Sequence, residues 1–303
     1  MNDFAPRLRI KAESGICLLH DGLSLSFYIR HPNQRIATAV LQSLDIYVQE
    51  VGPQALGKYF DDEGWCHELD DSAWKRLRRQ VFDEQWPGLR LADADTGEDR
   101  YRLDYYGKPL DEPSMEDKPD ATCALSFWLP TEYLETHGPS RLRELALALC
   151  ANLPFCFGQV GLSFNADITL LGVLREVHKY CFRYPGMDIS DLSDYSWKIG
   201  TKVRHPAWLT FLGNPVLAQL GGVSALRARL SSPGTLVQEL PGARAVITLG
   251  PHPEAGDLSH GLTLPAYREL ARVLEPWMHF ETSNYGPDFP PEDLRRWERR
   301  FLD

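Results

Sequence analysis

Residues 61–71 read DDEGWCHELDD. Six of the eleven are acids (Asp61, Asp62, Glu63, Glu68, Asp70 and Asp71), and they enclose Trp65, Cys66 and His67. Such a set could ligate a metal, do acid–base work or offer a negative face to a basic partner. Cys66 and His67 are a poor pair of ligands for one ion, because neighbouring side chains point apart on most backbones. A solvated loop ahead of a helix is the plain alternative to a docking face.

Two further groups carry suggestive chemistry. In GPHPEAGDLSHG, residues 250–261, His252, Asp257 and His260 are of types that ligate zinc or iron, as in a metal-dependent hydrolase. The segment is rich in Gly and Pro and matches no established ligand spacing, so a tight loop capping its own backbone is expected. His205 has Asp188, Asp191 and Ser196 near it in sequence. No GxSxG elbow joins them, and a buried histidine satisfied by a backbone carbonyl is expected. Neither GxGxxG nor GxxxxGK occurs, so no phosphate-cradling loop is expected, and no metal or other cofactor.

The elements that must position these residues follow from periodicity. Residues 7–19 and 23–30 read as strands joined at Asp21-Gly22, a hairpin signal. Ile36, Val40, Leu41, Leu44 and Val48 predict a helix over 34–51. Asp71 or Ser72 could cap a helix over 72–84, with Trp74, Leu77 and Val81 on one stripe. Strands are expected at 88–93 and 100–106, with a turn at Asp95-Thr96-Gly97. The Pro-rich acidic stretch 109–120 is expected to be a loop. Then come a strand at 122–129, a helix at 139–152 and a strand at 157–164. Short helices follow around Gly221-Gly222, then strands at 234–238 and 244–249, and helices at 264–277 and 291–302. Periodicity leaves 168–183 open between helix and extended chain.

This order gives an α+β fold with a mixed, largely antiparallel sheet flanked by helices. Leu-Ser-Phe recurs at 25–27 and 125–127, each time on an expected strand before an apolar helix, which hints at two related lobes. The expected organisation is one globular domain over 1–303, with an N-terminal lobe to about 108, the loop 109–120, and a C-terminal lobe from about 121.

The chain has 303 residues, 43% of them hydrophobic, and a net charge of −10. Residues 61–120 hold 18 acids and 9 bases, a balance of −9, so nearly all the net charge sits in one fifth of the chain. Direct nucleic-acid binding is therefore not expected, since phosphate contact needs Lys and Arg patches. The six cysteines are scattered with no CxxC pair, which suits reduced thiols in the cytoplasm. No secretory signal and no membrane-spanning run is read.

Four stretches resemble one family: YPGMDISDL, IGTKVRHPAWLTFLG, LGGVSALRARL and ITLGPHPEAGDLSHGLTLPAYRELARVL. Within them Trp208-Leu209-Thr210, Gly221-Gly222, Gly256-Asp257 and Leu264-Pro265-x-Tyr267-Arg268 carry the likeness, in order, over about a third of the chain. The resemblance is to TsiV, type VI secretion immunity proteins against VRR-Nuc nuclease toxins. It implies a non-enzymatic bacterial protein that binds a cognate DNase effector and covers its DNA-binding surface.

The interface assignment comes from charge, not from the family. A nuclease groove is basic, so its inhibitor should be acidic with aromatic anchors. The expected partner-facing residues are Asp61, Asp62, Glu63, Trp65, Glu68, Asp93, Asp95, Asp99, Asp111, Glu112, Glu116 and Asp117. Trp65, Trp86, Tyr101, Tyr105 and Tyr106 are the aromatic candidates, at least half of which should pack in the core. A monomer or weak oligomer is expected. The competing readings are immunity to a periplasm-acting toxin, which the unread signal peptide disfavours, and a hydrolase using His252, Asp257 and His260.

Overall fold

Apolar residues recurring with period two or 3.6 fix most of the elements. The computed structural model describes residues 6–15, 17–93, 99–189 and 191–303. In chain order the elements are β1 (Arg9–Lys11), β2 (Cys17–Ile29), α1 (Asn33–Val51), β3 (Lys58–Phe60), β4 (Cys66–Glu68), α2 (Asp71–Asp83), β5 (Gly88–Ala92), β6 (Arg102–Tyr106), β7 (Cys123–Pro130), α3 (Thr131–Cys150), β8 (Phe155–Asn165), α4 (Val173–Cys181), α5 (Leu192–Lys198), β9 (Leu209–Leu212), α6 (Val216–Gln219), α7 (Gly222–Ala228), β10 (Thr235–Leu240), β11 (Arg244–Leu249), α8 (Pro265–Leu274) and α9 (Pro291–Glu298). The fold is α+β. Its registered strand pairs are antiparallel, and isolated parallel bridges at Ser163–Asp188 and Val203–Met278 make it mixed.

Two compact units divide the chain. The first comprises residues 1–24, 159–190 and 202–303; the second comprises 25–158 and 191–201. In the second unit the strand order runs β2-β7-β6-β5-β3-β4, so β4 is an edge. Helix α1 buries Ile36, Val40, Leu41 and Leu44 of the expected stripe, and Tyr47 in place of Val48, which is half-buried. It packs on α2 and α3. The Tyr47 hydroxyl donates to the Trp128 carbonyl at 2.6 Å, which satisfies the one polar atom of a buried ring. Helix α2 buries Ala73, Leu77 and Val81, while Trp74 is only half-buried. Each such Leu or Val contributes about 1.5–3 kcal/mol of burial. Helix α3 is two helical pieces, broken at Gly138 (φ 77°) before Pro139, which cannot supply the N–H that a continuous helix needs.

In the first unit the order is β10-β11-β9-β8-β2, with β1 on β2. The hairpin expected at Asp21-Gly22 is not there. Those residues lie inside β2, and the antiparallel pairing is with β1, Arg9 opposite His20 and Ile10 opposite Leu19. Asp21 can occupy a buried strand position because its carboxylate accepts the Leu8 N–H at 2.8 Å and pairs with Arg9. Trp208, Phe211, Val246, Ile247, Tyr267, Leu270, Trp297 and Phe301 make the core. The C-terminal helix stops at Glu298, short of the expected 302. Past its end the Arg300 guanidinium lies 3.7 Å from the Trp297 ring centroid and donates to the Pro185 carbonyl at 2.8 Å.

Candidate binding surface

The acidic stretch is a small hairpin, not a plain loop. Strands β3 and β4 pair Lys58 with Glu68 and Phe60 with Cys66, and residues 61–65 turn between them. Asp61 organises the turn. One carboxylate oxygen accepts the N–H groups of Glu63 (3.1 Å) and Trp65 (2.8 Å); the other meets His67 Nε2 at 2.7 Å. The His67 contact and these N–H groups hold the Asp61 carboxyl below its ordinary range. Gly64, at φ 84°, takes the left-handed position that the tight turn requires. Asp62, Glu63, Cys66 and Glu68 are exposed. Trp65 is 66% exposed, its indole donating to Glu63 at 3.2 Å. Asp70 caps α2, accepting the Ala73 N–H at 2.7 Å, and Asp71 is the first helical residue.

Strand register sorts the expected partner-facing residues into two sets. Gly88, Tyr106 and Ala124 lie in register at one end of the second unit's strands; Lys58, Ala92, Arg102 and Trp128 lie in register at the other. The 61–65 turn follows Phe60 towards the Gly88 end, and a Cβ built on Gly88 lies 3.9 Å from Asp62. The loop after Tyr106, with Asp111, Glu112, Glu116 and Asp117, leaves from that same end. Glu68, Asp93 and Asp99 belong to the opposite end, roughly 15 Å away over a five-residue strand. Asp93 is buried, and Asp99 pairs with Lys58 at 2.7 Å, so their charges are largely withdrawn from the surface. Asp95 lies outside the described residues.

The acidic loop is anchored rather than loose. Met115 is buried beneath it, and Arg35 approaches Asp111 at 3.9 Å. Glu112, Glu116, Asp117 and Asp120 are exposed. The Lys118 ammonium lies 5.4 Å above the ring of Trp197 on α5, and Trp197 stacks on Trp86 with centroids 5.8 Å apart at 28°. Trp86 is 43% exposed and Trp197 38%. Of the other aromatic candidates, Tyr105 is buried, its hydroxyl donating to Asn33 at 2.7 Å, while Tyr101 and Tyr106 are half-buried.

Sequence reasoning overlooked Trp197 because α5 itself was not read. A signal existed: Asp191 accepts the Asp194 N–H at 3.0 Å, an Asp cap three residues ahead of a helical N–H. Beneath the indole pair is Lys108, buried, with its ammonium 4.5 Å from the Trp197 ring. It donates to the Thr122 carbonyl (2.9 Å) and the Ser196 hydroxyl (2.7 Å). Burial pushes its pKa down to about 8.

The enzyme-like groups are engaged in structure. Asp257 accepts both Arg183 nitrogens (3.0 and 2.7 Å), the Ser259 N–H and hydroxyl, and contacts His260 Nδ1 at 2.9 Å. It caps a single 3-10 turn, Leu258–His260, so the expected capping loop is what forms. Among the described residues, no group of three or more His, Cys, Asp or Glu is placed to hold a metal ion.

His205 is buried with Asp188, while Asp191 caps α5 and the Ser196 hydroxyl accepts from Lys108. Asp188 accepts Arg204 twice (2.8 and 2.9 Å) and Gln159 (2.5 Å), and contacts His205 Nε2 at 2.8 Å. The carbonyl expected beside His205 is that of Pro206, at 3.3 Å. Burial works against the Asp188 charge, but Arg204 and His205 outweigh it and hold the carboxyl well below its ordinary range. Burial, with Arg300 nearby, pushes His205 down to about 4, against the pull of Asp188.

Among the described residues, no helix is long and apolar enough to cross a membrane. A solved structure from Pseudomonas aeruginosa, titled T6SS protein PA0821, has the same fold, with a TM-score of 0.82. It is 19% identical, and the match covers 98% of this chain and 88% of that one. No curated protein sequence matches the chain. The model of the TsiV family, described as type VI immunity for VRR-NUC, matches residues 39–301. This chain, with nearly its whole length under that match, belongs to the TsiV family of type VI immunity proteins.

Proposed function

We propose that the chain neutralises a VRR-Nuc effector by laying the acidic end of its second unit over the effector's DNA-binding surface. The observation that carries this is the exposure at one strand end of Asp62, Glu63, Glu112, Glu116 and Asp117. They belong to a segment holding −9 of the net −10 charge. A groove built to hold phosphate is basic, and a fixed set of carboxylates attracts it while excluding DNA. On this reading the protein is a non-enzymatic inhibitor in the cytoplasm, active as a monomer or weak oligomer and not itself a nucleic-acid binder.

The test is protection of cells co-expressing the effector, together with association rates of a nuclease-inactivated effector. Reversal should be made at Asp62 and Glu63, leaving Asp61 to hold the turn, and separately at Glu112, Glu116 and Asp117. Each reversal should slow association about tenfold at low ionic strength and much less at high salt. Unchanged rates and an unchanged salt slope in both variants would refute the acidic-face mechanism.

A further inference from the structure

The Trp86–Trp197 pair is an exposed aromatic surface at the acidic end, and it differs in kind from Trp65. Trp65 stands in a hairpin turn, its indole held by one hydrogen bond, to Glu63. Trp86 and Trp197 come from different parts of the sequence and brace each other. Trp197 is fixed further by cations on its ring, Lys108 at 4.5 Å and Lys118 at 5.4 Å. Lys108 is itself tied down by Thr122 and Ser196. A pair held this way loses little conformational freedom when a partner binds. Scattered exposed apolar residues are ordinary, but braced, stacked indoles on a stretch of chain with exposed acids have the make-up of an interface hot spot.

The rim names the occupant. Residues 82–86, FDEQW, are all exposed, so Asp83 and Glu84 precede Trp86 by three and two residues on the same exposed stretch. Lys118 on Trp197 draws in the 109–120 loop, with Glu112, Glu116, Asp117 and Asp120 exposed around the only base in that loop. Lys118 already lies on Trp197, whereas no cation lies on Trp86 among the described residues. An indole with carboxylates on the same exposed stretch suits a guanidinium, which stacks on the ring and pairs with the acids.

We propose that the Trp86–Trp197 stack is the anchor of the effector interface, with Trp86 receiving an arginine from the effector's basic surface. This rests on the reading that the chain binds a VRR-Nuc effector. The probe is the nuclease-inactivated effector, titrated against the full-length chain and its Trp86→Ala, Trp86→Phe and Trp197→Ala variants, each checked for an unchanged melting curve. Trp86→Ala should weaken binding by about 30-fold or more, mainly through faster dissociation, and Trp86→Phe should recover part of it. Alanine replacement of one effector arginine should then cost little more in the Trp86→Ala background. Should Trp197→Ala not fold, Trp86→Ala alone decides.

Wild-type affinity in a folded Trp86→Ala variant overturns the anchor and leaves the immunity reading standing. A wild-type chain that does not bind the effector overturns both. Sedimentation showing a dimer of the free chain that Trp86→Ala dissolves assigns the stack to a second copy of this chain, and also overturns the proposal.

Discussion

His205 offers a quantitative test of the first unit's buried network. The perturbation is its protonation. The imidazole faces Asp188, Arg204 and Arg300, with the Phe301 ring 6.2 Å away, and none of them is open to solvent. Its folded pKa is pushed from 6.5 down to about 4. Unfolded chains therefore take up a proton across that window while the native chain does not. Stability from this group is fully present above pH 6.5 and is lost as pH falls towards 4. At about 1.4 kcal/mol per pH unit, the gap amounts to about 3 kcal/mol, most of it gone by pH 4.5. Urea unfolding at pH 7.5, 6, 5 and 4.5 measures it, with His205→Asn as the reference. Asn keeps a donor for Asp188 and does not titrate, and the carboxylates common to both proteins cancel in the difference. Wild type should lose about 3 kcal/mol more than the variant between the extremes. Parallel stability curves, differing by under about 1 kcal/mol across the range, would refute the claim that His205 is buried neutral.

Three further outcomes are expected. Asp188→Asn strands a buried Arg204 beside His205 and should destabilise the fold by about 3–5 kcal/mol in urea titrations at pH 7. Gly186→Ala drives a Cβ into the Glu254 carbonyl, backbone that cannot swing aside, and should cost about 1–3 kcal/mol or prevent folding. Asp70→Ala removes the α2 cap and should lower stability by about 1 kcal/mol, leaving effector affinity within about twofold.

The parts of this structure that could be read from the sequence are those where one residue's neighbours along the chain decide its fate. Helix α1 is an example: Ile36, Val40 and Leu44 recur at helical spacing and are all buried. The second unit's β5 and β6 followed in the same way from Gly88–Ala92 and Arg102–Tyr106, although the turn expected at 95–97 lies outside the described residues. What failed depended on partners distant in sequence. Asp21-Gly22 looks like a turn until Leu8 and Arg9 are seen to satisfy the carboxylate in place of water. Strands β3 and β4 are three residues each, and β4, Cys66-His67-Glu68, is exposed throughout, so no apolar alternation marks it.

The acidic surface was half legible for the same reason. Composition located the charge in 61–120, but only strand register shows that Asp62 and Glu116 share an end that Asp99 does not. Nor does composition reveal that Asp93 is buried. Nothing local announced that Trp86 would meet a residue more than a hundred positions later.

That separation has a consequence for the order in which the surface comes into being during synthesis. The second unit closes only when residues 191–201 return to it, bringing Trp197 and the Ser196 hydroxyl that holds Lys108. At about 5–20 residues per second, translation delivers Trp197 on the order of ten seconds after Trp86. A nascent or truncated chain ending before 191 carries the acids of the hairpin and the loop but only one of the two indoles. Fragments left by interrupted synthesis would thus have the charge to meet a basic protein without the finished aromatic platform beside it.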